Sequence, residues 1–242
     1  MTKEELLNLA FVNFDTLEFP VRGVEINCHG LNDMSNFRSS PRPASDLGKR
    51  GIVYVFPYYS AWAWCNDHTV AFMDSILDAV WELLSLGENI PLVITGGSMG
   101  GMTSLIYSIR GSRKPVAVGC LCPVTDMARY ASGGGEGTRS VYTAVMEKGV
   151  PIERSIEKID PMKHIGEFHR VPYLIVGGEK DYGISIELYQ RPFCEKMKAA
   201  GYDVTLLCVP GMGHCEIAAF EDAYQTYLNF ICGAIENAGI VL

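Results

Sequence analysis

The chain has 242 residues, 48% of them hydrophobic, with 28 acidic residues against 20 lysines and arginines and a net charge of −8. That balance excludes the clustered cations that neutralise nucleic-acid phosphates. No apolar run approaches the ~20 residues of a membrane helix, so neither a nucleic-acid nor a membrane partner is expected. The length suits one α/β domain that buries roughly 70–75% of its unfolded surface.

Eight cysteines are present, none spaced as Cys-x-x-Cys, which argues against a zinc site. Cys120 and Cys122 alternate along an apolar run and are expected to share one buried face. Cys28, Cys208 and Cys232 lie in apolar stretches and read as core thiols. The opening MTKEELLNLAFVNF is acidic where a secretion signal is basic. A cytoplasmic, reduced protein is the expectation.

Residues 4–12 show a short helical pattern, and 21–28 a strand followed by His29-Gly30-Leu31. A helix is expected over 44–50, with Pro41 and Pro43 forbidding a longer one. The strand GIVYVF (51–56) ends at Pro57 and opens into an aromatic loop with Tyr58, Tyr59, Trp62 and Trp64. Asp67 can cap the next helix, in which Val70, Met73, Leu77, Val80 and Leu84 recur at helical steps. Strands follow at 90–95 and 115–121. Residues 123–169 fit the alternation poorly and read as an insertion over the sheet, with SGGGEG (132–137) a flexible run and helical patches at 141–147 and 152–159. A strand at 171–176 leads into Gly-Gly-Glu-Lys-Asp181, and a helix to Ala200 is kinked or restarted at Pro192. The last strand, 204–209, leads into Gly211-Met212-Gly213-His214, before a helix striped by Phe220, Tyr224, Tyr227 and Ile231. Strands alternating with helices predict a mostly parallel sheet with helices on both faces.

The stretch 89–111 carries the chemistry: strand, then Gly96-Gly97-Ser98-Met99-Gly100, then a helix closed by Gly111. The absence of Gly-Lys-Ser/Thr excludes a P-loop, and no Gly-x-Gly-x-x-Gly fingerprint is present. Gly-x-Ser-x-Gly between strand and helix is the nucleophile elbow. Its sharp turn exposes the serine at a helix N-terminus, where free N–H groups favour a developing negative charge. Asp181 and His214 also follow predicted strands, so all three residues are expected at the carboxyl edge of the sheet, where open α/β sheets bind ligands. Asp126 and Asp160 compete with Asp181 as the acid. His29 reads as a residue that orients its loop, and His68, His164 and His169 as surface or insertion residues.

The order Ser98, Asp181, His214 resembles that of the α/β-hydrolases of the esterase and prolyl-oligopeptidase-like kind. The resemblance spans about residues 21–231. It rests on His29-Gly30, Phe56-Pro57-Tyr58-Tyr59, the 96–101 turn, the Gly-x-x-Asp ending at Asp181, and Pro210-Gly211-Met212-Gly213-His214. It implies an α/β-hydrolase fold: one domain, 1–242, with a lid-like insertion at about 123–169 and reduced N-terminal strands, since little chain precedes His29. The sheet edge so exposed would be covered by the 4–12 helix or by a homodimer. Ser98 would be the nucleophile, His214 the general base and Asp181 its orienting acid, with the N–H groups of Met99 and Leu31 forming the oxyanion hole. Tyr58 or Tyr59 could offer a hydroxyl there instead. Trp62 and Trp64 are either packing residues or walls of the substrate pocket, and Met212 is a further candidate contact. The expected activity is hydrolysis of small or medium-sized carboxylic esters without metal or cofactor, rising with pH through about 6.5 for an unperturbed histidine. A small serine peptidase and a catalytically silent ligand receptor are the rival readings.

Overall fold

The computed structural model describes residues 1–239. Its strands are β1 (Ala10–Val12), β2 (Gly23–Cys28), β3 (Ile52–Pro57), β4 (Leu92–Gly97), β5 (Ala117–Leu121), β6 (Tyr173–Gly178) and β7 (Val204–Val209). They form one sheet in the order β1-β3-β2-β4-β5-β6-β7. β1 is antiparallel to β3 and every other pair is parallel. The order reverses at β2, which lies between β3 and β4. Loops leaving the carboxyl ends of β2 and β4 therefore diverge and leave a crevice between them.

Period-two alternation assigns the two faces. Val24 and Ile26 of β2 and Ile94 of β4 bury with α3 (Asp67–Leu83) and α4 (Met99–Arg110). Tyr54, Val93 and Leu174 bury on the other side with α2 (Arg42–Gly48) and the C-terminal helix Glu221–Gly239. Val118, Cys120 and Ile175 pack with Phe193 and Met197 of the helix Arg191–Ala199. Helices thus cover both faces, as the alternation predicts.

The N-terminal edge differs from the helix predicted over 4–12. Helix α1 (Lys3–Leu9) opens with a Thr2–Glu5 capping box and stops at Leu9. Ala10 is already extended, and Ala10–Val12 pairs with residues 55–57. Buried Asn13 locks the turn: its amide donates to the carbonyls of Ala44 (2.9 Å) and Ile52 (3.1 Å), and its Oδ1 accepts from Tyr54 N (2.8 Å). The three residues of β1 cover the β3 edge.

Between β5 and β6 the chain forms α5 (Met127–Ser132), α6 (Gly135–Val145) and α7 (Ile152–Glu157). The glycine run is not a flexible loop, because Gly135 and Gly137 lie in the first turn of α6. A Cβ on Gly137 would lie 2.6 Å from the Tyr130 hydroxyl, so glycine there lets α5 and α6 approach closely. The Pro192 expectation resolves as a restart, since a π-helical turn, Ile186–Gln190, leads into the Arg191–Ala199 helix with Pro192 near its start.

One charged group lies inside the sheet. Glu25 on β2 is 1% exposed and accepts from the Thr95 hydroxyl, which in turn accepts from the Asn27 amide at 2.8 Å. Burial pushes its carboxyl up to about 7 against those hydrogen bonds, and its Oε2 has no partner among the described residues.

Candidate active site

Ser98 joins β4 to α4 at φ 58°, ψ −121°, a conformation that residues with a Cβ rarely hold. The surroundings enforce it. Ser98 N–H donates to Leu121 O at the end of β5 (2.8 Å), and Met102 N–H donates to Ser98 O (3.2 Å). A Cβ on Gly100 would overlap the Cys28 carbonyl at the end of β2, and one on Gly96 would overlap Gly100 itself. Backbone meets backbone at this corner, which is why the turn needs glycine on both sides of the serine.

Asp181 and His214 arrive on the turns after β6 and β7. His214 Nδ1–H donates to Asp181 Oδ2 at 2.6 Å, with the Asp181 side chain 2% exposed and that of His214 42% exposed. The other carboxylate oxygen accepts from Ile184 N (2.9 Å) and Gly183 N (3.2 Å). Burial would raise the Asp181 carboxyl, but His214 and the Ile184 amide outweigh it and hold it below the usual range. The Asp181 hydrogen bond, followed by one with Cys122, pushes the His214 imidazole up to about 9 against its burial. The competing acids are occupied elsewhere: Asp126 caps α5 through Arg129 N (2.9 Å), and Asp160 caps the short turn Pro161–Lys163 through Met162 N (3.0 Å).

Ser98, Asp181 and His214 line one cleft of about 820 Å³, together with Gly30, Leu31, Tyr130 and Ile184. Ser98 and His214 share no direct hydrogen bond among the described residues; such contacts are often long before substrate binds. Gly30 lies against the serine, where an added Cβ would sit 3.8 Å from Ser98 Cβ. The Leu31 loop and the start of α4 at Met99 therefore flank Ser98. His29 holds that loop from beneath. Its ring nitrogens contact Gly30 O and Tyr59 O (2.9 Å each), and it stacks on Tyr59 at 3.8 Å.

The five residues expected around the substrate lie outside this lining. The Tyr59 hydroxyl donates to His29 O (3.0 Å), and the Tyr58 hydroxyl donates to Asn36 (3.0 Å). Trp64 is buried and donates to Ser140 Oγ (2.8 Å), which ties α6 to the core. Trp62 borders a separate surface depression with His68 and Arg139, and Met212 is buried in the core. An aromatic run shows that large side chains are present but not which way a loop turns them.

Cys122 and Cys215 lie beside His214, a proximity that sequence reasoning missed. Cys122 does not share a face with Cys120, because the strand ends at Leu121 and Cys122 turns to φ 45°. Its Sγ accepts from Cys215 N at 3.4 Å and lies within 4.8 Å of a ring nitrogen of His214. Cys208, read as a core thiol, is exposed on the edge strand β7. Among the described residues no helix is long and apolar enough to cross a membrane.

The model of the prolyl oligopeptidase family matches residues 72–237. No curated protein matches the chain by sequence. Among solved structures, an acylaminoacyl peptidase from Pyrococcus horikoshii superposes with a TM-score of 0.71 at 14% identity, over 91% of this chain and 38% of its own. A puromycin-hydrolyzing peptidase from Mycobacterium tuberculosis gives 0.67 at 16% identity, over 89% and 35%. A thermophilic esterase from the Planctomycetes species Thermogutta terrifontis, solved with butyrate bound, gives 0.68 at 18% identity, over 95% and 89%. The chain thus spans little more than a third of the two peptidases.

Proposed function

The chain belongs to the prolyl oligopeptidase family, a serine hydrolase of the α/β-hydrolase type, and on that premise we propose that it hydrolyses small carboxylic esters through an acyl-enzyme on Ser98. One observation carries this reading: a serine held in a strained turn shares its cleft with a histidine bonded at 2.6 Å to a buried carboxylate.

Ser98 Oγ attacks the ester carbonyl carbon while His214 Nε2 takes its proton. Asp181 fixes the Nδ1–H tautomer and stabilises the imidazolium. The tetrahedral oxyanion is received by the N–H groups of Met99 and Leu31, each such donor contributing about 3–4 kcal/mol to the transition state. His214 returns the proton to the departing alkoxide, and a water activated the same way releases the acid and frees Ser98. The segment 123–169 acts as a lid-like selector within the single domain, since Tyr130 of α5 reaches the cleft wall.

The Thermogutta esterase supports ester substrates, because this chain superposes on most of its length. A peptidase is the second reading, favoured by the family match and by the two superposed peptidases. Nitrophenyl esters of rising acyl length, assayed beside aminoacyl amides, separate the two. Turnover of short esters that Ser98→Ala abolishes is the expected result. Turnover confined to the amides overturns the ester assignment, and full ester turnover in Ser98→Ala overturns the mechanism.

A further inference from the structure

We propose that Cys122, His214 and Cys215 form a binding site for a thiophilic divalent cation of the zinc type, and that the bound cation switches the hydrolase off. One ligand atom from each residue lies within 4.8 Å of the other two. A tetrahedral zinc with thiolates at ~2.3 Å and imidazole at ~2.0–2.1 Å needs the three to close by on the order of 1 Å. Two sulfurs and an imidazole select soft cations over magnesium or calcium. No Cys-x-x-Cys spacing announces this set, because its members come from separate turns, after β5 and after β7.

Three further features suit a cation. Both cysteines are free thiols: Cys122 N–H donates to Val176 O (2.7 Å), which ties its backbone to the sheet, and the Cys215 thiol donates to Leu121 O (3.5 Å), a contact that a cation would replace. Asp181 already accepts the His214 Nδ1–H, so a cation on Nε2 would find an outer-shell carboxylate in place, while one on Nδ1 would have to take its position. Cys215 and His214 line the cleft, which gives the ion a route in and leaves the fourth position to water or to Ser98. On Nε2 the cation occupies the lone pair that would accept the Ser98 proton. On Nδ1 it would instead displace Asp181 and release the ring. The inhibition rests on His214 being the base; the binding does not.

The test titrates chelator-treated protein with Zn²⁺ for activity and with Co²⁺ for absorbance, with Mg²⁺ as the control. Expected are reversible loss of hydrolysis with Zn²⁺, restored by EDTA and not caused by Mg²⁺, and a sulfur-to-cobalt charge-transfer band with tetrahedral visible bands. Cys122→Ala and Cys215→Ala should each lose the inhibition, scored against that variant's own metal-free rate, and should lose or weaken the band. Absence of the band in the wild type overturns the site, a result that needs no variant to fold. Zn²⁺ inhibition undiminished in both variants overturns it too, since the ion then acts without the thiols. A band on a protein that hydrolyses nothing would keep the cation site and remove the proposed function.

Discussion

The corner from β4 into α4 and the connection from β5 to β6 meet at the same cleft but are built differently. At the corner each atom is fixed by backbone: the Leu121 carbonyl holds Ser98 N–H, and Cys28 closes on Gly100. In the connection, side chains make the contacts: Trp64 of the core holds Ser140 of α6, and Tyr130 of α5 lies over Gly137 of α6. Backbone contacts leave the corner one arrangement, and in the proposed function the side-chain contacts of the connection set the choice among substrates. Changes at the strand ends should therefore alter rate, and changes in the connection should alter preference.

The largest contrast is between two aspartates. Asp181→Asn favours the wrong histidine tautomer and should cost about 10⁴ in turnover with the melting temperature kept. Asp126→Asn removes a helix cap and should cost roughly 1 kcal/mol of stability with little effect on turnover. Parallel assays and melts check the pair. Near-full activity in Asp181→Asn, or collapse in Asp126→Asn alone, would move the acid into the connection.

The same site sets the pH dependence. In the proposed mechanism only neutral His214 takes the Ser98 proton, and its imidazole is pushed up to about 9 chiefly by Asp181. With EDTA present, kcat/KM should thus rise with pH well beyond the 6.5 of a free histidine, toward 9. Asp181→Asn should move the residual profile to lower pH, because the carboxylate that favours the imidazolium is gone. A wild-type profile already flat above pH 7 would contradict this.

Glu25 lies under the corner and should affect stability. Its carboxyl is raised in the fold to about 7, so the folded state holds its proton more tightly than the unfolded chain. Its neutral form suits the fold below the unfolded value. Stability is then lost as pH rises toward 7, by up to about 3 kcal/mol above it. Glu25→Gln should raise the melting temperature at pH 8 and change it little at pH 4. An equal effect at both would mean that ionisation is not the cause.

The smallest effect expected is in the connection. Gly137→Ala puts a Cβ 2.6 Å from the Tyr130 hydroxyl, and Tyr130 lines the cleft. The ring should shift and alter the rate ratio between long and short esters a few-fold, with the shortest ester turned over as before. An unchanged ratio would make the connection a surface elaboration.

Legibility in the sequence follows the same division. The alternation of strands and helices gives the sheet, and the strand–turn–helix context singles out Ser98, because glycine at a backbone contact leaves a mark in sequence. Asp181 and His214 stand on turns after strands, a position that Asp126 shares; the resemblance favours Asp181, and the structure brings it to 2.6 Å from His214. Whether Trp62 and Trp64 pack or line the pocket stays open in the sequence, because rotamers in an irregular loop depend on distant partners, such as Ser140 for Trp64. Ala10–Val12 reads as helix until Asn13 and the β3 edge draw it out. Cys122 is hidden because its strand ends one residue earlier than the apolar run, and Cys215 because its partners come from another turn.

The most direct test of the central claim is the site of covalent labelling by a fluorophosphonate, read by intact mass and peptide mapping. The account predicts one adduct per chain, on Ser98, faster as pH rises toward 9 and strongly slowed in Asp181→Asn. A folded protein that takes up no label, or carries it on another residue, would contradict the account.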